Sequence, residues 1–246
     1  MSTFAVILPA AGAGTRFRDP VYKKPFAPLA GRAVWLHSAH RFTQRDDVRQ
    51  VIVVISPDDR EYFEMKFTSD VAILGIDVVE GGQERVDSVG NGLAKVREDI
   101  DFVCVHDAAR PCLSDLWIDA VFDAAKKSGA AILGIPVNDT IKKVGEKKQI
   151  EATVPRTGLW AAQTPQVFRR DWLVEAYANR PNDPVTDDAQ LIESLGKPVT
   201  VVHGSPMNIK ITRKEDLKLA EQILKVLPKP RLDRPAHPFA DDDLWR

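Results

Sequence analysis

The sequence predicts an α/β fold with a doubly wound, mostly parallel, Rossmann-like sheet. Three observations carry that expectation. Short β-branched runs alternate with amphipathic stretches, the order of a βαβ chain. Most of the runs are almost continuously apolar, as strands covered on both faces by helices must be. The chain is also long enough to bury such a sheet: 246 residues against roughly 150 per domain gives about 1.6 domains.

Taken in order, the strands are expected at Phe4–Leu8, Val51–Ile55, Val71–Val79, Phe102–Val105, Ala130–Pro136 and Val199–His203. Ser56-Pro57 offers a capping hydroxyl before a proline that opens a helix. Glu84–Arg97 sets Val86, Val89, Leu93 and Val96 at three- and four-residue steps. Ser114–Ser128 does the same, and Gly129 reads as its stop. Thr212 and Glu215 form a capping-box pattern ahead of Leu217, Ala220, Ile223 and Leu224. Residues 138–160 break the alternation. They are polar, with short β-like pieces at Thr140-Ile141 and Ala152–Val154, and read as a hairpin-like arm with Trp160 at its base. The expected division is one catalytic domain over 1–227 and a proline-rich, acidic tail over 228–246, with Phe239, Leu244 and Trp245 as docking anchors.

Composition removes several function classes. The net charge is −1, with 28% charged and 44% apolar residues, which fits neither a general nucleic-acid binder nor a disordered chain. Cys104 and Cys112 form no Cys-x-x-Cys pair, so a zinc site is not expected. No run approaches the ~18 apolar residues of a membrane helix. Phe4–Leu8 is too short for a signal core. A reduced cytoplasmic protein that binds no membrane is the expectation.

The chemistry concentrates in loops. Leu8-Pro-Ala-Ala-Gly-Ala-Gly-Thr-Arg16 follows the first strand directly. Gly12 and Gly14 let backbone amides approach a phosphate, although a tight turn explains two glycines equally well. The spacing is not that of a P-loop, and Phe17 stands where a dinucleotide fingerprint needs its third glycine. Arg16 and the Lys23-Lys24 pair add the cations that a triphosphate requires, and one lysine of the pair is expected to function. Asp107 ends a buried strand, where α/β sheets bind ligands, and is placed either to hold Mg²⁺ or to cap the next turn; Arg110 reads equally as an ion-pair partner. His106 is expected to be structural and not a general base. Thr186-Asp187-Asp188 reads as a helix start with Thr186 as cap.

Six motifs in order then define a resemblance. They are Pro9-Ala-Ala-Gly-x-Gly-x-Arg16 with Lys24-Pro-Phe, Gly81–Leu93, Val105–Pro111, Pro155–Phe168, Thr186–Ala189 and Asn208–Thr212. Together they resemble the 2-C-methyl-D-erythritol 4-phosphate cytidylyltransferases, a family of nucleotidyltransferases. The resemblance covers residues 9–212 and leaves the tail out. It implies a nucleotidyltransferase-type sheet, CTP and a sugar-alcohol phosphate as substrates, and Mg²⁺ or another divalent cation as cofactor. It implies catalytic roles for Arg16 and Lys24 and a metal role for Asp107. Nucleotide contacts are implied for Ala10, Ala11, Gly12, Gly14, Gly82, Ser88, Ala108 and Arg110. Substrate contacts are implied for Arg156, Lys210, Thr140, Thr164 and Thr186. It further implies a homodimer in which one subunit's arm completes the other's site. The nearest competing family is ribitol 5-phosphate cytidylyltransferase, and Ala109 with Leu159-Trp160 favours the erythritol enzyme. A nicotinamide oxidoreductase is disfavoured by Phe17, and a non-catalytic nucleotide binder by retention of every charged position.

Overall fold

The computed structural model describes residues 2–12, 14, 16–17, 19, 22–181 and 184–228. The expected tail anchors Phe239, Leu244 and Trp245 lie outside the described residues. Strand β1 (Phe4–Pro9) leads, through a 3-10 turn at Lys24–Phe26 and the small hairpin β2 (Pro28–Leu29) and β3 (Arg32–Ala33), into α1 (Val34–Thr43). Two further βα units follow: β4 (Val48–Ile55) with α2 (Arg60–Leu74), and β5 (Ile76–Glu80) with α3 (Arg85–Leu93). Next come β6 (Phe102–Val105), α4 (Asp115–Ser128), β7 (Ala130–Pro136), β8 (Ile141–Val144) and β9 (Ile150–Val154). The chain continues through β10 (Trp160–Arg169), α5 (Arg170–Ala178), α6 (Asp188–Ser194), β11 (Thr200–His203) and α7 (Glu215–Val226).

Seven strands form one sheet in the order β11-β7-β10-β6-β1-β4-β5. Only β10 runs antiparallel, between β6 and β7; the other pairings are parallel. Successive side chains of β1 point to opposite faces, and both faces are covered. Phe4, Val6 and Leu8 pack with Trp35, Phe42, Phe63 and Phe122. Ala5 and Ile7 pack with Val89, Leu93, Leu173 and Ile192. That is why β1 lacks the polar alternation of a one-sided strand. A third cluster of Phe17, Leu29, Val34, Cys112 and Ile211 seats α7 through Ala220. Among the described residues no helix is long and apolar enough to cross a membrane.

Four expectations are corrected. Val71–Leu74 is not strand but the last turn of α2, stopped by Gly75 in the left-handed region (φ 62°). Its apolar letters suit a strand, yet Ile73 is 83% exposed while Val71 and Leu74 reach the core. The Ser56 hydroxyl makes no capping bond, and Pro57–Asp59 is a 3-10 turn. Thr212 and Glu215 do not close a capping box: Asp216 accepts from the Thr212 and Arg213 amides instead, at 2.7 and 2.8 Å. Asp187, not Thr186, caps α6, by accepting from the Gln190 amide at 3.1 Å. The polar arm is a hairpin as expected, with β8 antiparallel to β9. Trp160 opens β10 and meets the His203 ring edge-on at 5.6 Å.

Candidate active site

Strand β1 has a parallel neighbour on each side, β4 and β6. The chain therefore turns one way after β1 and later returns on the other side, opening a crevice at the carboxyl ends of the strands. The loops after β1, β5 and β6 meet there. They enclose a cleft of about 320 Å³ whose lining includes Pro9–Gly12, both Lys23 and Lys24, Gly82–Arg85, Ser88, Asp107, Ala109 and Lys210. A second cavity of about 220 Å³ adjoins it, lined by Arg110, Gln163, Thr164, Gln166, Thr186 and Asp187. Arg85, Asp107 and Lys210 line both and form the wall between them.

Asp107 is the centre of this wall. It is 7% exposed, and three cations surround it. Lys210 Nζ is 2.8 Å from Oδ2, Arg110 Nε is 3.6 Å from Oδ2, and Arg85 Nε is 3.3 Å from Oδ1. Burial works to raise the Asp107 pKa, but the charges of Arg85, Lys210 and Arg110 outweigh it and hold the group well below the usual carboxylate range. Arg110 is fixed from behind, because its Nη1 donates to the Asn208 carbonyl at 2.7 Å.

Thr164 and His106 brace the Asp107 backbone. The Asp107 amide donates to Thr164 Oγ1 at 3.1 Å, and that hydroxyl also meets His106 Nδ1 at 3.1 Å. The Arg110 carbonyl, 3.1 Å from His106 Nε2, can only accept, so in the neutral ring Nε2 is the donor and Nδ1 accepts from the Thr164 hydroxyl. Burial pushes the His106 pKa down to about 4, in agreement with a neutral ring. Both nitrogens are occupied, so His106 is structural, as expected.

The glycine loops owe their composition to close approach. A Cβ on Gly81 would stand 2.6 Å from both Ala11 Cβ and Ser88 Oγ, and one on Gly82 would stand 2.4 Å from Asp87 Cβ. The Ser88 hydroxyl accepts from the Gly82 amide at 3.2 Å and donates to the Glu84 carbonyl at 3.0 Å, which ties the loop to α3. Ser88 therefore shapes the loop directly. Gly14 has φ 61° and lies against Lys24. Ala10 and Ala108 are buried, and the Ala108 carbonyl accepts from Ser38, so it is Ala109 that reaches the cleft.

Geometry separates the two lysines. Lys23 Nζ is committed to Asp59 at 2.6 Å. Lys24, among the described residues, has no carboxylate within ion-pair distance. Burial first, then the like charges of Lys210 and Arg16, lowers its pKa, with Asp107 opposing. Arg16 itself is exposed and lines a neighbouring cavity with Phe17, Arg213 and Lys214. Arg156 and Thr140 are exposed on the arm and line neither cavity; the Arg156 guanidinium donates to the Asn138 carbonyl.

Sequence reasoning missed Arg85, Asp188, Tyr177, Gln163 and Gln166. Arg85 lay in a quoted motif without a role. The Gln166 amide donates to Asp187 Oδ2 at 2.8 Å and its oxygen accepts from the Ala189 amide at 3.1 Å, locking α6 to β10. No sequence signal marks such a pairing.

The donor set is informative about metal. Among the described residues no group of three or more His, Cys, Asp or Glu could hold an ion. One ionised carboxylate beside a cationic cleft fits Mg²⁺ delivered with a triphosphate, because Mg²⁺ commonly takes one or two carboxylates plus phosphate oxygens.

The model of the family described as 2-C-methyl-D-erythritol 4-phosphate cytidylyltransferase matches residues 4–226. The enzyme of that name from Alkaliphilus oremlandii is 40% identical over 229 residues, covering 92% of this chain and 96% of its own. The bifunctional enzyme IspD/IspF of Desulfotalea psychrophila is 41% identical over 94% of this chain, which spans 59% of that longer protein. Among solved structures, the Thermus thermophilus enzyme of the same name as the family superposes with a TM-score of 0.73 at 35% identity, covering 92% of this chain and 100% of its own.

Proposed function

Because the chain belongs to the 2-C-methyl-D-erythritol 4-phosphate cytidylyltransferase family, we propose that it transfers the cytidylyl group of CTP to that alcohol phosphate and releases pyrophosphate. The observation that carries this reading is the wall itself: Arg85, Asp107 and Lys210 stand between two adjoining cavities, with Lys24 lining the larger one and, among the described residues, no carboxylate within ion-pair distance of it. Two anionic substrates can thus meet across a fixed cluster of charge.

In this reading CTP occupies the larger cleft. Ala10, Ala11, Gly12 and Gly14 bring backbone close to its phosphates, Gly82 and Ser88 shape the base end, and the buried Ala108 acts from behind by holding Ala109 against the cleft. Thr164, Thr186 and Lys210 hold the alcohol phosphate in the smaller cavity. An ionised phosphate oxygen attacks the α-phosphorus, and the bond from that phosphorus to the bridging oxygen breaks in line, so pyrophosphate leaves with the electron pair. Lys24 and Arg16 stabilise the charge that builds on the phosphates, and Arg110 steadies Asp107. Mg²⁺, or another divalent cation held by Asp107, neutralises part of the triphosphate charge when bound.

Residues 1–227 are read as one catalytic domain, working in the cytoplasm. Arg156 and Thr140 reach a substrate only if the arm enters a partner's cavity, so the working form is a homodimer. Pyrophosphate release from CTP tests the reaction. It is expected to depend on 2-C-methyl-D-erythritol 4-phosphate and to exceed the rate with ribitol 5-phosphate. Faster release with ribitol 5-phosphate, or release without either alcohol, overturns the reading.

A further inference from the structure

Arg85 is held by more than Asp107. Its Nη1 lies 2.9 Å from Asp188 Oδ2, nearer than its 3.3 Å contact with Asp107 Oδ1. Asp188 is 1% exposed, and its other oxygen accepts from the Tyr177 hydroxyl at 2.6 Å. A carboxylate this deeply buried requires a counter-charge. Among the described residues Arg85 is the only cation within ion-pair distance of Asp188. Asp107, by contrast, has Lys210 and Arg110 as well. Arg85 is therefore anchored to Asp188 and shared with Asp107, not the reverse.

The anchor comes from elements remote in sequence. Tyr177 sits at the end of α5 and Asp188 at the start of α6, whereas Arg85 opens α3 and Asp107 follows β6. Gln166 and Asp187 clamp α6 in place next to them. The chain of contacts thus runs Tyr177, Asp188, Arg85, Asp107, Lys210, and it ends in the wall between the two cavities.

We propose that Asp188 and Tyr177 are positioning residues that fix the Arg85 guanidinium between the two cavities and so set how much of its charge bears on Asp107. Without Asp188, Arg85 turns wholly onto Asp107 and the wall loses its geometry. The proposal rests on the cytidylyltransferase reading and deepens it.

A double-mutant cycle tests it, because residues that act through one another are non-additive. Asp188→Asn keeps the shape and removes the charge; Tyr177→Phe removes only the hydroxyl. We expect kcat/KM to fall 10- to 100-fold for Asp188→Asn and 3- to 10-fold for Tyr177→Phe, with folded thermal transitions for both. In an Arg85→Gln background neither substitution should lower kcat/KM further by more than 2-fold. Additive losses in that background overturn the proposal, as does wild-type kcat/KM in a folded Asp188→Asn protein. Should Asp188→Asn fail to fold, Tyr177→Phe carries the same cycle. An inactive wild-type protein contradicts the cytidylyltransferase reading instead, so the two failures are distinguishable.

Discussion

Replacing Lys24 by alanine should cost most of the activity and little of the fold. Among the described residues the Lys24 ammonium has no carboxylate within ion-pair distance, and burial lowers its pKa. Its charge is thus not neutralised in the free protein and is available to a phosphate. At about 4 Å and an effective dielectric near 20, one such charge is worth roughly 4 kcal/mol. Loss of one preorganised donor commonly lowers kcat by ~10²–10³-fold, or about 3–4 kcal/mol. The two routes agree, and we expect a drop in that range. Lys23→Ala is the comparison: its charge is committed at 2.6 Å to Asp59, which is 6% exposed, so its loss should lower thermal stability by leaving a buried carboxylate without its partner, while kcat of the folded protein stays within about 3-fold. The assay is pyrophosphate release with both substrates saturating, alongside thermal melting. A folded Lys24→Ala protein within 3-fold of wild type refutes the electrostatic argument, and so does a Lys23→Ala loss as large as that of Lys24→Ala.

Other consequences follow from the same contacts. The lowered Lys24 pKa brings the alkaline limb of kcat/KM below the ordinary lysine value of 10.5. Lys210→Gln removes a like charge from Lys24, so in its residual activity that limb should move to higher pH; a shift to lower pH contradicts the cluster. His106 is neutral in the fold, with a pKa of about 4 against 6.5 unfolded. The unfolded state binds its proton first, so stability is lost as pH falls from 6.5 toward 4. The loss is about 2 kcal/mol at pH 5, and chemical denaturation should show that part absent from His106→Gln. Gly81→Ala forces a methyl to 2.6 Å from Ala11 and Ser88 and should lower stability by about 1–3 kcal/mol. Gly12→Ala, with no atom of the described residues within 4 Å of the new methyl, should melt as wild type and bind CTP more weakly by calorimetry. Mixing Lys24→Ala and Arg156→Ala proteins should restore activity, because a shared arm leaves one site of each mixed dimer intact. No restoration, with subunit exchange shown by mass, argues for an arm that works within its own subunit.

The central strands were legible because their signal is local. Phe4–Leu8, Phe102–Val105 and Ala130–Leu133 are buried on both faces, and their letters say so. Strand β10 was not, because Gln163, Thr164 and Gln166 interrupt its apolar run. These polar groups are buried, and their partners lie in Ser205, Asp107 and Asp187. Val71–Leu74 misled for the opposite reason: apolar letters belonged to a helix whose end Gly75 decides. In the site, motifs located Asp107 and Lys24, and geometry chose Lys24 over Lys23. The Arg85–Asp188–Tyr177 contacts pair residues up to 103 positions apart, and spacing along one chain holds no trace of them. Arg156 and Thr140 were found by resemblance alone, since among the described residues neither of them lines the two cavities.

The central claim is a single in-line transfer between two substrates held across the Asp107 wall, with no covalent enzyme intermediate. Exchange of labelled pyrophosphate into CTP tests it most directly. The account predicts no exchange with CTP and pyrophosphate alone, and rapid exchange once 2-C-methyl-D-erythritol 4-phosphate is added. Exchange in the absence of the alcohol phosphate would contradict it, because label could then enter CTP only through a cytidylylated protein.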